Sequence, residues 1–159
     1  MDSENNKIEF VVVIAIYLIS THSITSVDEI NLILYYIQAN SLVKLNRVMF
    51  LASILKAENG LDMPSITHRL AYDLKAKSSL KEIDPENKLL IDTVYLSLKE
   101  MGLFNVKKEL LKDDVYINTA LNTSFNPDEI KKYYSNNKNK LFYNEQIGAN
   151  LKEKKGRKK

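Results

Sequence analysis

The sequence has 159 residues, 45% of them hydrophobic, which is enough for one domain with a core or for two very small units that share one. Four glycines, three prolines and 27% charged residues favour helices joined by short loops over a many-stranded β fold. Cysteine is absent, which excludes disulfides, thiolate nucleophiles and cysteine-ligated zinc, and the net charge of +3 combines an acidic body with a basic C-terminus.

The first predicted element is an apolar segment near the N-terminus. Residues 10–19 (FVVVIAIYLI) are apolar throughout, but ten residues are about half of what a membrane-spanning helix needs. The residues before them carry three acidic side chains and one lysine, the opposite of the basic start of a signal peptide. We therefore expect a soluble, cytoplasmic protein that keeps its N-terminus and makes no membrane contact. Residues 8–20 are predicted to form a buried helix, because no partner strand with a turn signal follows them.

A second helix is predicted to begin at Ser26. Ser26 and Glu29 have the spacing of a capping box, in which each side chain satisfies a free backbone amide of the other residue. Apolar residues then recur in the pattern of one helix face, at Ile30, Ile33, Leu34 and Ile37. Together with the preceding segment, this helix predicts an N-terminal helical hairpin over residues 1–40.

Three further helices are predicted before Gly102. The first, over 42–58, has a helical apolar stripe and a left-handed stop at Asn59-Gly60. The second, over 64–76, has a proline in its first turn and lysines at its end. The third, over 86–101, follows Pro85 and ends at the glycine. Its predicted inward residues are Leu89, Leu90, Val94, Leu98 and Met101.

A β-hairpin and a last helix are predicted to follow. Residues 103–108 and 114–119 alternate apolar and polar side chains on either side of a charged tip, which is typical of two paired strands. Asn126-Pro127 suits the cap and the first position of a helix. Three helices followed by a hairpin is the order of a winged-helix-like domain, which we place at residues 41–143, so the predicted fold is mainly α with a small β-hairpin.

The charges on this predicted domain favour a protein partner over DNA. In a DNA-binding winged helix the third helix enters the major groove, but here three carboxylates accompany only two lysines on its outward positions. Those positions are Glu86, Asn87, Lys88, Asp92, Thr93, Ser97, Lys99 and Glu100. The wing is balanced as well, since three acidic residues face Lys107, Lys108 and Lys112. We expect these three lysines to contact a protein partner; a free-standing winged-helix DNA-binding transcriptional regulator is the alternative.

Five stretches between residues 45 and 143 share a pattern with a known family. They are LNRVMFLASIL, HRLAYDL, LKEMGLFNV, VYINT and IKKYYSNNKNKL. With them the chain resembles the small middle subunits of bacterial ABC-three-component defence systems, the group that includes the small subunit of Lamassu. It departs from that family at Leu74, where an aromatic residue is usual, and at residues 120–122, where a glycine is usual. The resemblance implies a non-catalytic subunit that binds an SMC-like ATPase beside a nuclease effector, in anti-phage or anti-plasmid defence.

No catalytic or cofactor-binding pattern occurs in the sequence. The four glycines stand singly, so none forms a phosphate-binding loop or a nucleophile elbow. Neither His22 nor His68 has a second histidine or a carboxylate three or four residues further on, so we expect surface or capping roles for both. The doublets Tyr35-Tyr36 and Tyr133-Tyr134 are each expected to place one ring in the core and the next about 100° around the helix. We therefore expect no enzyme activity, no cofactor and no metal.

The last 29 residues hold most of the positive charge. From Lys131 to Lys159 there are ten Lys or Arg residues and two glutamates, a net charge of +8, so the other 130 residues carry −5. Residues 144–159 are polar and lysine-rich, and we expect a disordered tail. The basic residues expected to touch nucleic acid are Lys152, Lys154, Lys155, Arg157, Lys158 and Lys159. The predicted function is a non-catalytic accessory subunit of a hetero-oligomer, with DNA held by the assembly or by this tail.

Overall fold

The structure of the chain, a computed structural model, describes residues 9–67 and 83–156. As the composition predicts, it is mainly helical, with one small antiparallel sheet of two strands. The elements in chain order are α1 (Phe10–His22), α2 (Val27–Lys44), β1 (Leu55–Ala57), β2 (Gly60–Asp62), α3 (Pro85–Met101), α4 (Leu103–Leu110), α5 (Asp114–Ile117), α6 (Pro127–Ser135), a 3-10 helix (Lys138–Leu141) and α7 (Glu145–Gly156).

The first helix is buried, as predicted, whereas α2 is buried from Ile30 to Leu42 and not only along the predicted apolar stripe. Every residue of α1 from Val11 to Leu18 is at most 8% exposed, which fits a helix that is apolar all round. Ser26 caps α2, because its Oγ accepts a hydrogen bond from the backbone N–H of Glu29 at 3.3 Å. The predicted boundary between residues 40 and 41 falls inside α2, which continues to Lys44.

The chain turns sharply between these two helices. Within the described ranges, no single helix is long and apolar enough to cross a membrane. The pair α1 and α2 would together meet the criteria of length and composition, but the two helices are bent by 116° relative to each other.

The prediction of a helix over residues 42–58 was wrong. After α2 the chain turns at Asn46, which has a left-handed φ of 58°, and then has neither helix nor strand until β1. Gln38 fixes the backbone of this irregular stretch: its Oε1 accepts from the backbone N–H of Met49 at 2.7 Å, and its Nε2 donates to the carbonyl of Phe50 at 2.8 Å. Asn59-Gly60 lies at the β1–β2 turn, where Ala57 pairs with Gly60, rather than at the end of a helix.

The prediction of a hairpin over residues 103–119 was also wrong, because α4 and α5 occupy this stretch. Gly102, with φ of 91°, separates α3 from α4, so the glycine interrupts one helical run and a second helix begins directly after it. Val106 and Leu110 lie one helical turn apart and are both buried, so α4 meets the core along a helical stripe. The wing of the predicted winged-helix arrangement is therefore replaced by two short helices.

The core face of α3 agrees with the prediction, but its outward face does not. Leu90, Val94 and Leu98 are buried as predicted, whereas Met101 is 45% exposed. Thr93 and Ser97, predicted to point outward, are 0% and 1% exposed, and Asn87 is buried too.

For Thr93 and Ser97 the cause is α7, which packs along α3, whereas Asn87 contacts Arg47 and Asp84. The backbone N–H of Asn144, just before α7, donates to the Ser97 Oγ at 2.9 Å, and a side chain at Gly148 would come within 3.3 Å of Thr93. The prediction of disorder beyond residue 144 was therefore wrong as far as Gly156.

Two other predicted helices are found in part or in full. Residues 64–67 are helical, and the rest of the predicted helix 64–76, with His68, lies outside the described residues. The last predicted helix is α6, in which Asn126 is the cap, with its side chain accepting from the N–H of Asp128 at 2.8 Å. Buried side chains from α1, α2, α3, α4 and α6 belong to one hydrophobic cluster.

Candidate functional site

The three lysines predicted to contact a partner lie on or just after α4, and they face different surroundings. Lys108 Nζ lies 5.5 Å from the ring centroid of Phe104, one turn earlier on the helix. Lys112 pairs with Glu109 at 3.6 Å in an exposed contact. An exposed ion pair of this kind contributes little to stability. Lys108 and Lys112 could therefore turn to a partner protein with little loss of folding free energy.

Lys107 lies on the side of α4 that faces the β-hairpin. A side chain at Gly60 would lie 3.5 Å from its Cε, so the lysine packs against the turn between β1 and β2. Together with Asp28 and Asn59 it lines a cleft of about 240 Å³ between the hairpin, α2 and α4. The structure thus places Lys107 away from Lys108, although the two are neighbours in the sequence.

An exposed apolar stretch accompanies the outward lysines. Phe104 is 74% exposed and Met101 is 45% exposed. Both belong to the α3–α4 junction, where the Asn105 side chain donates to the Met101 carbonyl at 3.0 Å. We call the surface formed by Met101, Phe104, Lys108 and Lys112 the α4 face. It combines a large exposed aromatic ring with cationic side chains, a composition found in protein interfaces.

The structure describes only some of the basic residues that were predicted to touch nucleic acid. Lys152 and Lys154 are exposed on α7, and Lys155 belongs to the same helix. Arg157, Lys158 and Lys159 lie outside the described residues. The two described side chains therefore project from an ordered helix.

A buried polar network, which the sequence reasoning missed, is built around Asp113. This aspartate is 1% exposed and directly precedes α5. Its carboxylate accepts hydrogen bonds from the hydroxyls of Tyr134 at 2.8 Å and Tyr133 at 3.3 Å, and Lys140 Nζ lies 3.4 Å away. The Tyr35 and Tyr134 hydroxyls are 2.9 Å apart, so the chain of hydrogen bonds extends to α2.

Burial dominates the electrostatics of this network. Desolvation raises the pKa of the Asp113 carboxyl above its ordinary value, although the hydroxyl of Tyr134 and the charge of Lys140 favour the ionised form. Desolvation alone would lower the pKa of Lys140, but the neighbouring Asp113 carboxylate raises it. Burial also raises the pKa of the Tyr35 and Tyr134 hydroxyls, so both remain protonated donors at neutral pH. Asp113, Tyr35 and Tyr134 are buried, while Tyr133 and Lys140 reach solvent, and the network joins α2, α6 and the 3-10 helix to the residue that precedes α5.

A second polar cluster joins the end of α1 to α3. The Tyr17 hydroxyl donates to the carboxylate of Asp92, with its oxygens at 2.8 and 2.9 Å, and His22 Nε2 lies 2.9 Å from the same carboxylate. His22 also stacks on Tyr95, with ring centroids 4.2 Å apart. Desolvation, the hydrogen bond to Asp92 and the charge of Asp92 raise the pKa of Tyr17. A surface or capping role was expected for His22, and its partner could not be predicted because Asp92 lies 70 residues away in the sequence.

The chemistry of the described residues offers no centre for metal binding. Across residues 9–67 and 83–156, no three His, Cys, Asp or Glu side chains are grouped so that they could hold a metal ion. No family model, no curated protein and no solved structure matches this chain.

Proposed function

We propose that this protein is a non-catalytic accessory subunit that binds a partner protein through the α4 face. Following the resemblance of its sequence, the partner is an SMC-like ATPase, with a nuclease effector in the same assembly and a role in anti-phage or anti-plasmid defence. DNA is held by the assembly or by the basic residues at the end of α7.

The observation that carries the proposal is the exposure of Phe104 beside Lys108. An aromatic ring that is 74% exposed has a large apolar surface in water, and burying it against a partner would be favourable. The ammonium group near its ring adds a charge that would select an acidic partner surface. Interfaces owe most of their affinity to a few such residues, and aromatic side chains are frequent among them.

The arrangement of α3 supports a protein partner over the alternative of a DNA-binding regulator. A helix that reads the major groove must present a face to the bases. On α3 the face containing Thr93 and Ser97 is covered by α7 and the opposite face is in the core. The residues that stay exposed on this helix include Glu86, Lys99 and Glu100, two acids and one lysine, which do not suit a surface that lies against phosphates. Docking through the α4 face needs no wing, because Lys108 lies on a helix and Lys112 lies just after it.

The test is affinity capture of the tagged full-length chain from its native host, with the recovered proteins identified by mass spectrometry. The wild type should recover an ATPase with long coiled-coil segments. Phe104→Asp, and separately Lys108→Glu, should reduce its recovery at least tenfold. Leu51→Asp is the matched control, because Leu51 is 92% exposed, so the same charge is added at another surface position.

Two results would contradict the proposal. One is recovery of the ATPase by Phe104→Asp at the level of the wild type, which would show that the α4 face is not the docking surface. The other is a wild-type capture that contains no ATPase, which would remove the SMC-like partner.

A further inference from the structure

The C-terminal helix α7 buries less of its surface than the shorter helices of the fold. It has 12 residues, and of its described side chains, from Glu145 to Lys154, none is buried. Only Ile147, Gly148 and Leu151 are half-buried. By contrast, α4 has only 8 residues and buries two of its side chains completely. Burial of apolar surface therefore contributes less to the docking of α7 than to the docking of α4.

Most of the polar contacts that hold α7 are open to solvent. Asn144, just before the helix, donates from its backbone N–H to the Ser97 Oγ at 2.9 Å in a partly buried contact. Its side-chain Nδ2 donates to Glu100 at 2.8 Å, and Glu145 pairs with Lys44 at 3.0 Å, and both of these contacts are exposed. Water can replace exposed contacts of this kind at small cost. The attachment of α7 to α3 is therefore weak compared with the packing of the core.

The face of α3 under α7 keeps its own hydrogen bonds without that helix. Thr93 and Ser97 are 0% and 1% exposed, so α7 shields both from water. Thr93 nevertheless donates to the carbonyl of Leu89, and Ser97 donates to the carbonyl of Thr93, both at 2.7 Å. Removal of α7 would thus expose small polar side chains whose hydroxyl hydrogens already have acceptors.

Two residues connect the core to α7. Leu141, at the end of the 3-10 helix, is 1% exposed and anchors the chain in the core. The next residue, Phe142, has a left-handed φ of 59°, which is uncommon and costs free energy for a bulky side chain. Asn144 then caps α7, since its Oδ1 accepts from the backbone N–H of Gln146 at 2.9 Å. Only Phe142 and Tyr143 need to change conformation for α7 to move away, and that change releases the strain at Phe142.

We infer that α7 is a detachable arm, which leaves α3 as one unit while the rest of the molecule stays folded. Proteins open locally in cooperative units, and those with few buried apolar contacts open most easily. Detachment moves the exposed Lys152 and Lys154 away from the body and uncovers the face of α3 that contains Thr93 and Ser97. The docked arm thus controls access to this face. The inference is independent of the proposed function, because it includes neither the α4 face nor a partner.

The experiment is native-state hydrogen exchange of the full-length chain, followed by NMR. The backbone amides of residues 149–154 should exchange with a common protection factor, because detachment exposes them together. This factor should be at least tenfold lower than that of the amides in α6, a shorter helix that buries Ile130 and Tyr134. Equal protection of the two helices would overturn the inference, because α7 would then open only together with the core.

A matched pair of substitutions tests the docking contact. A Cβ at Gly148 would lie 3.3 Å from the Thr93 side chain, so the larger side chain of Gly148→Leu should prevent docking. The protection of α7 should then fall at least tenfold further, while Tm changes by a few degrees at most. Ala149→Leu adds the same side chain at the adjacent, exposed position and should leave α7 protected as in the wild type. The inference fails if Gly148→Leu unfolds the whole chain, or if it leaves the protection of α7 unchanged.

A reversible lock distinguishes detachment of α7 from unravelling of the helix in place. The chain has no cysteine, so Thr93→Cys together with Gly148→Cys allows a single disulfide between α3 and α7. Oxidation of this variant should raise the protection of α7 at least tenfold, and reduction should reverse the gain. If the oxidised and reduced forms protect α7 equally, the helix unravels without leaving α3, and the detachable arm is excluded.

Discussion

Replacing Asp113 tests whether the buried network stabilises the fold through its hydrogen bonds or through its charge. Asp113→Ala removes the acceptor of the Tyr134 hydroxyl, which lies 2.8 Å away in the core. One hydroxyl hydrogen of the Tyr35–Tyr134 pair is then left without an acceptor, whichever of the two hydroxyls donates to the other. An orphaned buried donor costs about 1 to 3 kcal/mol.

The other contacts of Asp113 add less to this cost. Tyr133 is half-buried and its contact is long, at 3.3 Å, so water can replace the carboxylate. The Lys140 side chain is 31% exposed and can also turn to solvent. We therefore expect Asp113→Ala to lower the free energy of unfolding by about 2 to 4 kcal/mol. For a chain of this length, that corresponds to a fall in Tm of about 5 to 15 °C.

Asp113→Asn should cost much less. It keeps the shape and one acceptor while removing a charge that burial disfavours, so we expect a loss of about 1 kcal/mol or less at neutral pH. The pH dependence gives a second criterion. Since the folded-state pKa of Asp113 is raised, the folded chain binds more protons than the unfolded chain above the ordinary aspartate pKa. The stabilisation that Asp113 gives the fold by binding a proton is therefore complete below the pKa of the unfolded state. It is lost as the pH rises through the pKa of the folded state.

The assay is urea denaturation of the wild type and both variants at several pH values, followed by circular dichroism. The wild type should lose stability relative to Asp113→Asn as the pH rises from the unfolded-state pKa of Asp113 through its folded-state pKa. Below that range the free energies of unfolding of the two proteins should converge. If Asp113→Asn is as destabilising as Asp113→Ala at neutral pH, the charge itself stabilises the fold. The conclusion that desolvation dominates at Asp113 would then be wrong.

Three further changes test the core, the α3–α4 junction and the basic C-terminus. Val94→Asp should lower the free energy of unfolding by about 3 to 5 kcal/mol, because it buries an unpaired charge, whereas the exposed control Leu51→Asp should melt like the wild type. Gly102→Ala should cost about 1 to 3 kcal/mol in thermal unfolding, since φ of 91° strains any residue with a Cβ, and a wild-type Tm would exclude that strain. Changing the six basic residues of 152–159 to Gln should make DNA binding nearly undetectable by fluorescence anisotropy at about 0.15 M salt, because counterion release is lost. Tight, sequence-selective binding by that variant would instead support the DNA-binding regulator.

The helices whose ends carry local signals could be predicted from the sequence. Ser26 and Asn126 cap α2 and α6 through their own side chains, and Pro85 and Gly102 bound α3. These signals depend on residues within one turn of each other, so they need no knowledge of the rest of the fold. The burial of α1 could also be predicted, because residues 10–19 are apolar throughout.

The stretches that were predicted wrongly are those whose structure depends on distant partners. The irregular stretch after α2 is held by Gln38, a side chain that hydrogen-bonds to the backbone of Met49 and Phe50. Before the fold is known, nothing distinguishes this buried glutamine from a polar residue on a helix surface. The apolar residues of α4 likewise fit more than one pattern, and packing of Val106 and Leu110 into the core favours the helix.

The outward face of α3 shows why polar residues are an uncertain guide to a surface. Thr93 donates to the carbonyl of Leu89, and Ser97 donates to the carbonyl of Thr93, both at 2.7 Å. Their hydroxyls are thus satisfied inside their own helix and can be buried without an unpaired donor. Gly148 then lets α7 approach closely, since a side chain there would meet Thr93 at 3.3 Å. The polar face of α3 that was predicted to point outward is for this reason covered by α7, and Glu86, Lys99 and Glu100 are left exposed on the helix.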